Sequence, residues 1–276
     1  MTPDRPTVIS ITSLPSRIGR MRPVLESLLR ADARPQKILI PLPSVSIREQ
    51  CSYSIPDFLK DRDFCGDVVQ VVAADHDWGP GTKLLGVCDA IPPESYLVLA
   101  DDDVRYHPSF LKGILAAQRS DHSSSFSYHV YRARGLTVGQ GCDGFSFWSP
   151  NLAGVKDFAE RHVVGSTVFF HDDLWISFFL AAKGIQIKAA APPQGAPLIY
   201  AVEHHVNSLN RLSGDLSRRA INRSSIKRLL REVPMAWQIR ARIRLTATLD
   251  QVWTNPLGKL RRRIARARAA SVAHQG

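Results

Sequence analysis

Four short apolar runs, separated by helical patterns, constrain this chain more than any other feature. Thr7-Val8-Ile9-Ser10-Ile11 is rich in β-branched residues, and Lys37 to Leu42, Val68 to Val72 and Tyr96 to Ala100 continue the theme. Helical spacing runs from about Arg20 to Arg30, and a shorter stretch from Thr82 to Asp89 precedes the fourth run. The runs are mostly apolar rather than alternating, so both faces of the sheet they form are expected to be covered. Short buried strands alternating with helices predict βαβ units, hence an α/β fold with a mostly parallel, Rossmann-like sheet flanked by helices.

The second half is more mixed. Phe126 to Tyr131 reads as a strand, and Gly135 to Gly144 as a glycine-rich, mobile segment. The stretch from Asp172 to Lys183 is apolar nearly all round, which predicts a buried helix, with Gly184 as its left-handed stop and Ile185 to Ala189 as a returning strand. The four cysteines form no CxxC pair and read as buried free thiols.

Charge divides the chain in two. The net charge is +11, yet residues 211–276 hold 16 Lys and Arg against three acids, while residues 1–210 hold 20 against 22. A near-neutral domain over 1–208 is therefore expected to precede a basic helical extension over 209–276, whose end is expected to be partly disordered. The first residues lack a basic and then apolar leader, and no apolar run reaches the length of a membrane span, so a cytoplasmic location is expected. Arginines interleaved with Trp237, Ile239, Ile243 and Leu245 suggest that the extension docks on an anionic membrane, on the inner face of the plasma membrane. Nucleic acid is the weaker candidate partner, because the front domain is neutral.

Asp101-Asp102-Asp103 follows the fourth strand directly. Open α/β sheets bind ligands beyond the carboxyl ends of their strands, and adjacent carboxylates there call for a cation. Hard divalent ions such as Mn²⁺ or Mg²⁺ take oxygen ligands, commonly one or two carboxylates plus substrate phosphates. Beyond the third strand, Asp75 and the run Asp77 to Lys83 place two glycines and a lysine at a helix start, a plausible phosphate-facing loop. Asp172-Asp173 opens the buried helix, where capping and general-base catalysis are alternative readings. His204-His205 offers an imidazole that could complete a metal site. Phe145 and Trp148 are either a sugar-stacking surface on the acceptor side or aromatic core.

In layout, residues 7–190 resemble the GT-A-fold glycosyltransferases, close to the family 2 enzymes. The resemblance rests on the opening strand and turn Ile11 to Pro15, Asp75, the DxD-type motif Asp101 to Asp103, and Asp172-Asp173 followed by a helix and Gly184. It implies a transferase that takes a sugar from a nucleotide-diphosphate sugar and passes it to a saccharide or lipid-linked acceptor, in surface polysaccharide or glycolipid synthesis. It implies that Ser13, Arg17 and Asp75 contact the nucleoside. It divides residues 1–208 into a nucleotide half to about 105 and an acceptor half from 106; Asp101 and Asp103 would serve the metal and diphosphate, with Asp102 and Lys83 on the donor side, where His205 is the imidazole that could complete the metal site. Asp173 would be the catalytic carboxylate, with Asp172 towards the acceptor, and Arg218 or Arg219 could add positive charge near the diphosphate. A sugar nucleotidyltransferase is the alternative enzyme and a nucleic-acid-binding protein the alternative from another class; the former would more often carry a glycine-rich basic loop where this chain has Ser13-Leu14-Pro15-Ser16-Arg17.

Overall fold

The computed structural model describes residues 5–192, 200–202 and 215–253, with side chains described over 5–192 and 224–247. Seven strands form the central sheet: β1 (Thr7–Ser10), β2 (Lys37–Leu42), β3 (Val69–Ala73), β4 (Tyr96–Leu99), β6 (Ser124–Ser127), β9 (Phe145–Trp148) and β10 (Gln186–Ala189). Two smaller antiparallel ladders pair β5 (Val104–Tyr106) with β11 (Tyr200–Val202), and β7 (Val130–Ala133) with β8 (Leu136–Gly139). In the main sheet the order is β10-β6-β9-β4-β1-β2-β3. Neighbours from β4 to β3 run parallel, as do β10 and β6, while β9 is antiparallel to both β4 and β6.

Every residue of β1, β4 and β9 is buried, whereas the edge strands β3 and β10 are mostly exposed or half-exposed. Alternate residues of the central strands feed two separate cores. Val8, Leu97, Leu99, Phe145 and Phe147 point to one face, against α3 (Thr82–Leu85) and α6 (Asp172–Ala182). Ile9, Ile38, Ile40, Tyr96, Val98 and Trp148 point to the other, against α1 (Arg22–Leu29) and α4 (Phe110–Ser120). The remaining helices are the four-residue α2 (Arg62–Cys65), α5 (Val155–His162), α7 (Asp215–Glu232) and α8 (Trp237–Trp253). Ile226, Leu229 and Val233 bury their side chains in the first core, so the C-terminal helices begin as part of the packed body.

The expected strands and the Asp172 helix appear within a residue or two of their predicted bounds, and Gly184 stops that helix at φ 78°. Three expectations need correction. The span Phe126 to Tyr131 is not one strand, because β6 ends at Ser127 and β7 starts at Val130. The stretch Gly135 to Gly144 is not a mobile segment: it contains β8, whose Leu136 and Val138 are core residues, and Gly139 lies against the Phe145 ring. Among the cysteines, all free, only Cys65 is buried; Cys51 is exposed. Among the described residues no helix is long and apolar enough to cross a membrane.

Candidate active site

Because β1 to β4 are parallel, their carboxyl ends lie along one edge of the sheet, and the loops leaving them converge there. β1 sends out Ser13 and Arg17, β3 leads to Asp77 and Lys83, and β4 runs into Asp101-Asp102-Asp103. The antiparallel β9 adds one more loop. Its Phe145 pairs with Leu99, so the residues just before it, Gly141 to Gly144, sit beside the aspartates.

Two buried cations separate the carboxylates. Asp102, 4% exposed, accepts a 2.5 Å hydrogen bond from Ser13 Oγ and an ion pair from Arg17, whose Nη2 also stands 3.0 Å from Asp103 Oδ2. On the opposite side, Lys83 Nζ lies 2.7 Å from Asp101 Oδ1 and 3.0 Å from Asp172 Oδ2. Burial disfavours the Lys83 ammonium, but Asp101, Asp172 and Asp173 outweigh it and hold its pKa well above the ordinary value. Lys83 is 5% exposed, so it is a buried cation of this edge and not a solvated surface lysine. Arg48 stands close to Arg17; burial and that neighbouring charge lower its pKa.

On the helix side stands Asp173. Its Oδ1 accepts a 2.8 Å hydrogen bond from the Gly141 backbone N–H. Burial of the carboxyl and the neighbouring Asp172 push its pKa up to about 8, against the pull of Lys83 and Gly141. A Cβ on Gly141 would stand 3.0 Å from Lys83 Nζ and 3.1 Å from Asp173 Oδ1, so glycine lets this loop reach both groups. Asp172 does not cap the helix: His171 holds the cap position without a side-chain cap bond, and the Asp172 carboxylate turns to Lys83 instead.

The structure thus assembles Ser13, Arg17, Lys83, Asp101, Asp102, Asp103, Asp172 and Asp173. It leaves three expected residues elsewhere. The exposed Asp75 carboxylate pairs with Lys156 at 3.4 Å, outside the cluster. Burial would raise its pKa, yet Lys156 lowers it. The inner position after β3 belongs to Asp77, which accepts from Ile47 N at 2.6 Å and Gly79 N at 2.7 Å. Phe145 and Trp148 are core, not a sugar platform. Phe145 is fully buried against Phe147, and Trp148 lies on the opposite face, stacked on His122 at 4.2 Å between ring centres. His205 lies outside the described residues, as do the side chains of Arg218 and Arg219.

Sequence reasoning missed Tyr106 and Gly141. The Tyr106 hydroxyl accepts from Asp101 N at 2.7 Å and donates to the Cys142 carbonyl at 3.2 Å, joining the aspartate loop to the glycine loop. Burial raises that phenol well above its ordinary range. Neither residue carries a motif; only strand order brings them together.

The donor set suits a hard divalent ion, since Asp101 and Asp103 offer oxygen ligands and such ions complete their shells with substrate phosphate and water. Among the described residues no group of three or more His, Cys, Asp or Glu is placed to hold a metal ion by itself. Arg17 Nε is buried without a hydrogen-bond partner, leaving one donor at this edge for an oxyanion.

A mostly parallel sheet carrying one antiparallel strand, with an acidic triplet beyond its fourth strand, is a GT-A-type fold. Among solved structures the chain is similar to the mannosyltransferase PcManGT from Pyrobaculum calidifontis, in complex with GDP-Man and Mn2+, at 14% identity and TM-score 0.53 over 98% of this chain and 81% of that one. It is likewise similar to S. aureus TarS 1-349, at 12% identity and TM-score 0.53 over 91% and 72% of the two chains. No protein-family model and no curated protein matches the sequence. At these identities the likeness establishes the fold alone.

Proposed function

We propose that the protein is a metal-dependent glycosyltransferase that moves a sugar from a nucleotide-diphosphate sugar to an acceptor hydroxyl. The observation that carries this reading is the meeting, at one sheet edge, of the Asp101–Asp103 carboxylates, the buried cations Lys83 and Arg17, and Asp173. The shared fold of a mannosyltransferase in complex with GDP-Man and Mn2+ supports it.

In this reading Asp101 and Asp103 are the residues that would hold Mn²⁺ or Mg²⁺ on the diphosphate side, with His205 as a candidate ligand. The ion, when bound, supplies Lewis-acid neutralisation of the charge that grows on the departing nucleotide. Lys83 and Arg17 add fixed positive charge beside that diphosphate, and their carboxylate partners keep them in position before substrate arrives. Ser13, Asp102 and the Arg17 turn face the nucleoside side, with Asp75 at its margin. Asp173 takes the proton from the acceptor hydroxyl; with Oδ1 held by Gly141, its second oxygen is the one to receive it. Asp172 tethers Lys83 and borders the acceptor space.

Surface polysaccharide or glycolipid assembly is the proposed setting, with the enzyme cytoplasmic and peripheral on the membrane. Helix α8 supports this with Trp237 74% exposed and Leu245 65% exposed among Arg240 and Arg242, a pattern suited to an anionic interface. The deciding test is a thermal-shift screen of UDP- and GDP-sugars with and without Mn²⁺, followed by turnover with the sugar that binds. A metal-dependent rise in midpoint for one donor is expected. No shift with any nucleotide, together with no nucleotide-sugar cleavage, would remove the reading.

A further inference from the structure

A second collection of charge lies where the C-terminal helices meet the β7–β8 hairpin. A cavity of about 610 Å³ opens there, within the size range of ligand pockets. Arg134, Lys227, Arg231 and Arg244 line it, while Ile226 and Leu230 give it an apolar wall. No acidic residue is among its described lining. Cations gathered around one space repel one another unless an anion or solvent intervenes, so the arrangement favours a negatively charged occupant.

The backbone gives an independent indication. Arg134 and Gly135 form the two-residue turn of the hairpin, at φ 50° and 81°. Such turns favour Asn-Gly, and a long branched side chain at the first position works against the backbone preference. Non-glycine residues held in this region cluster at ligand-binding places. The turn is also fixed in space. A Cβ on Gly135 would overlap the Ile243 carbonyl oxygen and come within 2.6 Å of Ala247 N, so only glycine lets the hairpin tip close onto α8. Arg134 is thereby set at the cavity wall by a backbone that has no freedom to withdraw it.

We propose that this cavity is a binding site for a phosphate-bearing ligand, held by Arg134, Lys227, Arg231 and Arg244. Guanidinium forks match the several oxygens of a phosphate more fully than the two of a carboxylate. The wall of Ile226 and Leu230 suits an apolar group attached to that phosphate. None of these residues belongs to the carboxylate cluster, so the site stands apart from the transferase reading.

The test is calorimetric titration of the full chain with inorganic pyrophosphate in EDTA, and sedimentation with phosphatidylcholine vesicles containing phosphatidylglycerol. Wild type is compared with Lys227→Gln/Arg231→Gln/Arg244→Gln and with Arg134→Gly. The three glutamine positions have exposed side chains, and glycine suits the backbone at position 134, so both variants should keep the thermal midpoint. Should the triple variant fail to fold, Arg134→Gly carries the comparison alone. At least tenfold weaker pyrophosphate binding in the triple variant, and severalfold weaker in Arg134→Gly, is expected of a site for free phosphate compounds. Weakened binding to anionic vesicles alone would identify the source as a lipid headgroup. Equal binding by wild type and variants to both probes, or no binding of either, would overturn the proposal. Mn²⁺-dependent nucleotide binding should stay unchanged in both variants, which separates this result from the fate of the active site.

Discussion

The backbone N–H of Gly141 donates to Asp173 Oδ1 over 2.8 Å, tying the loop before β9 to the first turn of α6. That bond holds a carboxylate whose surroundings oppose its ionisation. Asp173→Asn is therefore expected to act in two opposite directions. Turnover should fall by orders of magnitude with donor affinity nearly unchanged, because the group acts on the chemical step. Asp172→Asn should cost less in turnover.

Stability should move the other way in Asp173→Asn. A carboxyl whose folded pKa is raised to about 8 from an ordinary value near 4 favours the folded state at low pH and loses that contribution as pH rises through the folded value. The variant lacks the titration. Relative to wild type it should gain on the order of 1–2 kcal/mol as pH goes from 5 to 9, a figure reduced for the carboxyl's partial exposure. Thermal melts across that range measure it. A difference between the two proteins that does not change with pH would contradict the assigned environment.

Asp101→Ala and Asp103→Ala should each abolish Mn²⁺-stimulated binding of UDP or GDP while leaving the fold intact. Lys83 keeps Asp172 as a partner in the first variant, and Arg17 keeps Asp102 in the second. Titration calorimetry with and without Mn²⁺ reads the outcome, and undiminished metal-dependent affinity in both would exclude the metal role.

Gly81→Ala should destabilise without touching the charged cluster. Its new Cβ would lie 2.7 Å from Trp175 Cζ2, and Trp175 is 1% exposed in the core with nowhere to move. Overpacking of this kind costs roughly 1–3 kcal/mol, readable as a lower midpoint in a denaturant melt.

A chain stopped after Asn255 should bind anionic vesicles less than the full chain at low salt, if the basic end docks on membrane. Sedimentation with phosphatidylglycerol vesicles compares them, and equal binding would assign any membrane affinity to the described body, where Trp237 and Leu245 are the exposed apolar side chains of α8.

Sequence alone determined the parallel half of the fold. Runs such as Thr7–Ile11 and Tyr96–Ala100 are short, β-branched or apolar and do not alternate with charged residues, as a strand buried on both faces requires, and Asp101–Asp103 follows one of them without a gap. Lys83 and Asp173 were legible as candidates for the same reason: each stands at a helix start after a strong local signal. Tertiary structure decided what local pattern cannot express. Phe145 and Trp148 are three residues apart in one strand, so they face opposite cores, and neither meets solvent as a sugar platform would. Asp75 and Asp77 have the same chemistry and nearly the same position, yet the chain turns one outward to Lys156 and the other inward to Ile47 and Gly79. Gly141 joins the site only because β9 runs antiparallel beside β4, placing a residue some forty positions from Asp101 at the same sheet edge. Strand order is set by packing among segments distant in the chain, so the contacts it creates leave no mark in the residues' own neighbourhood.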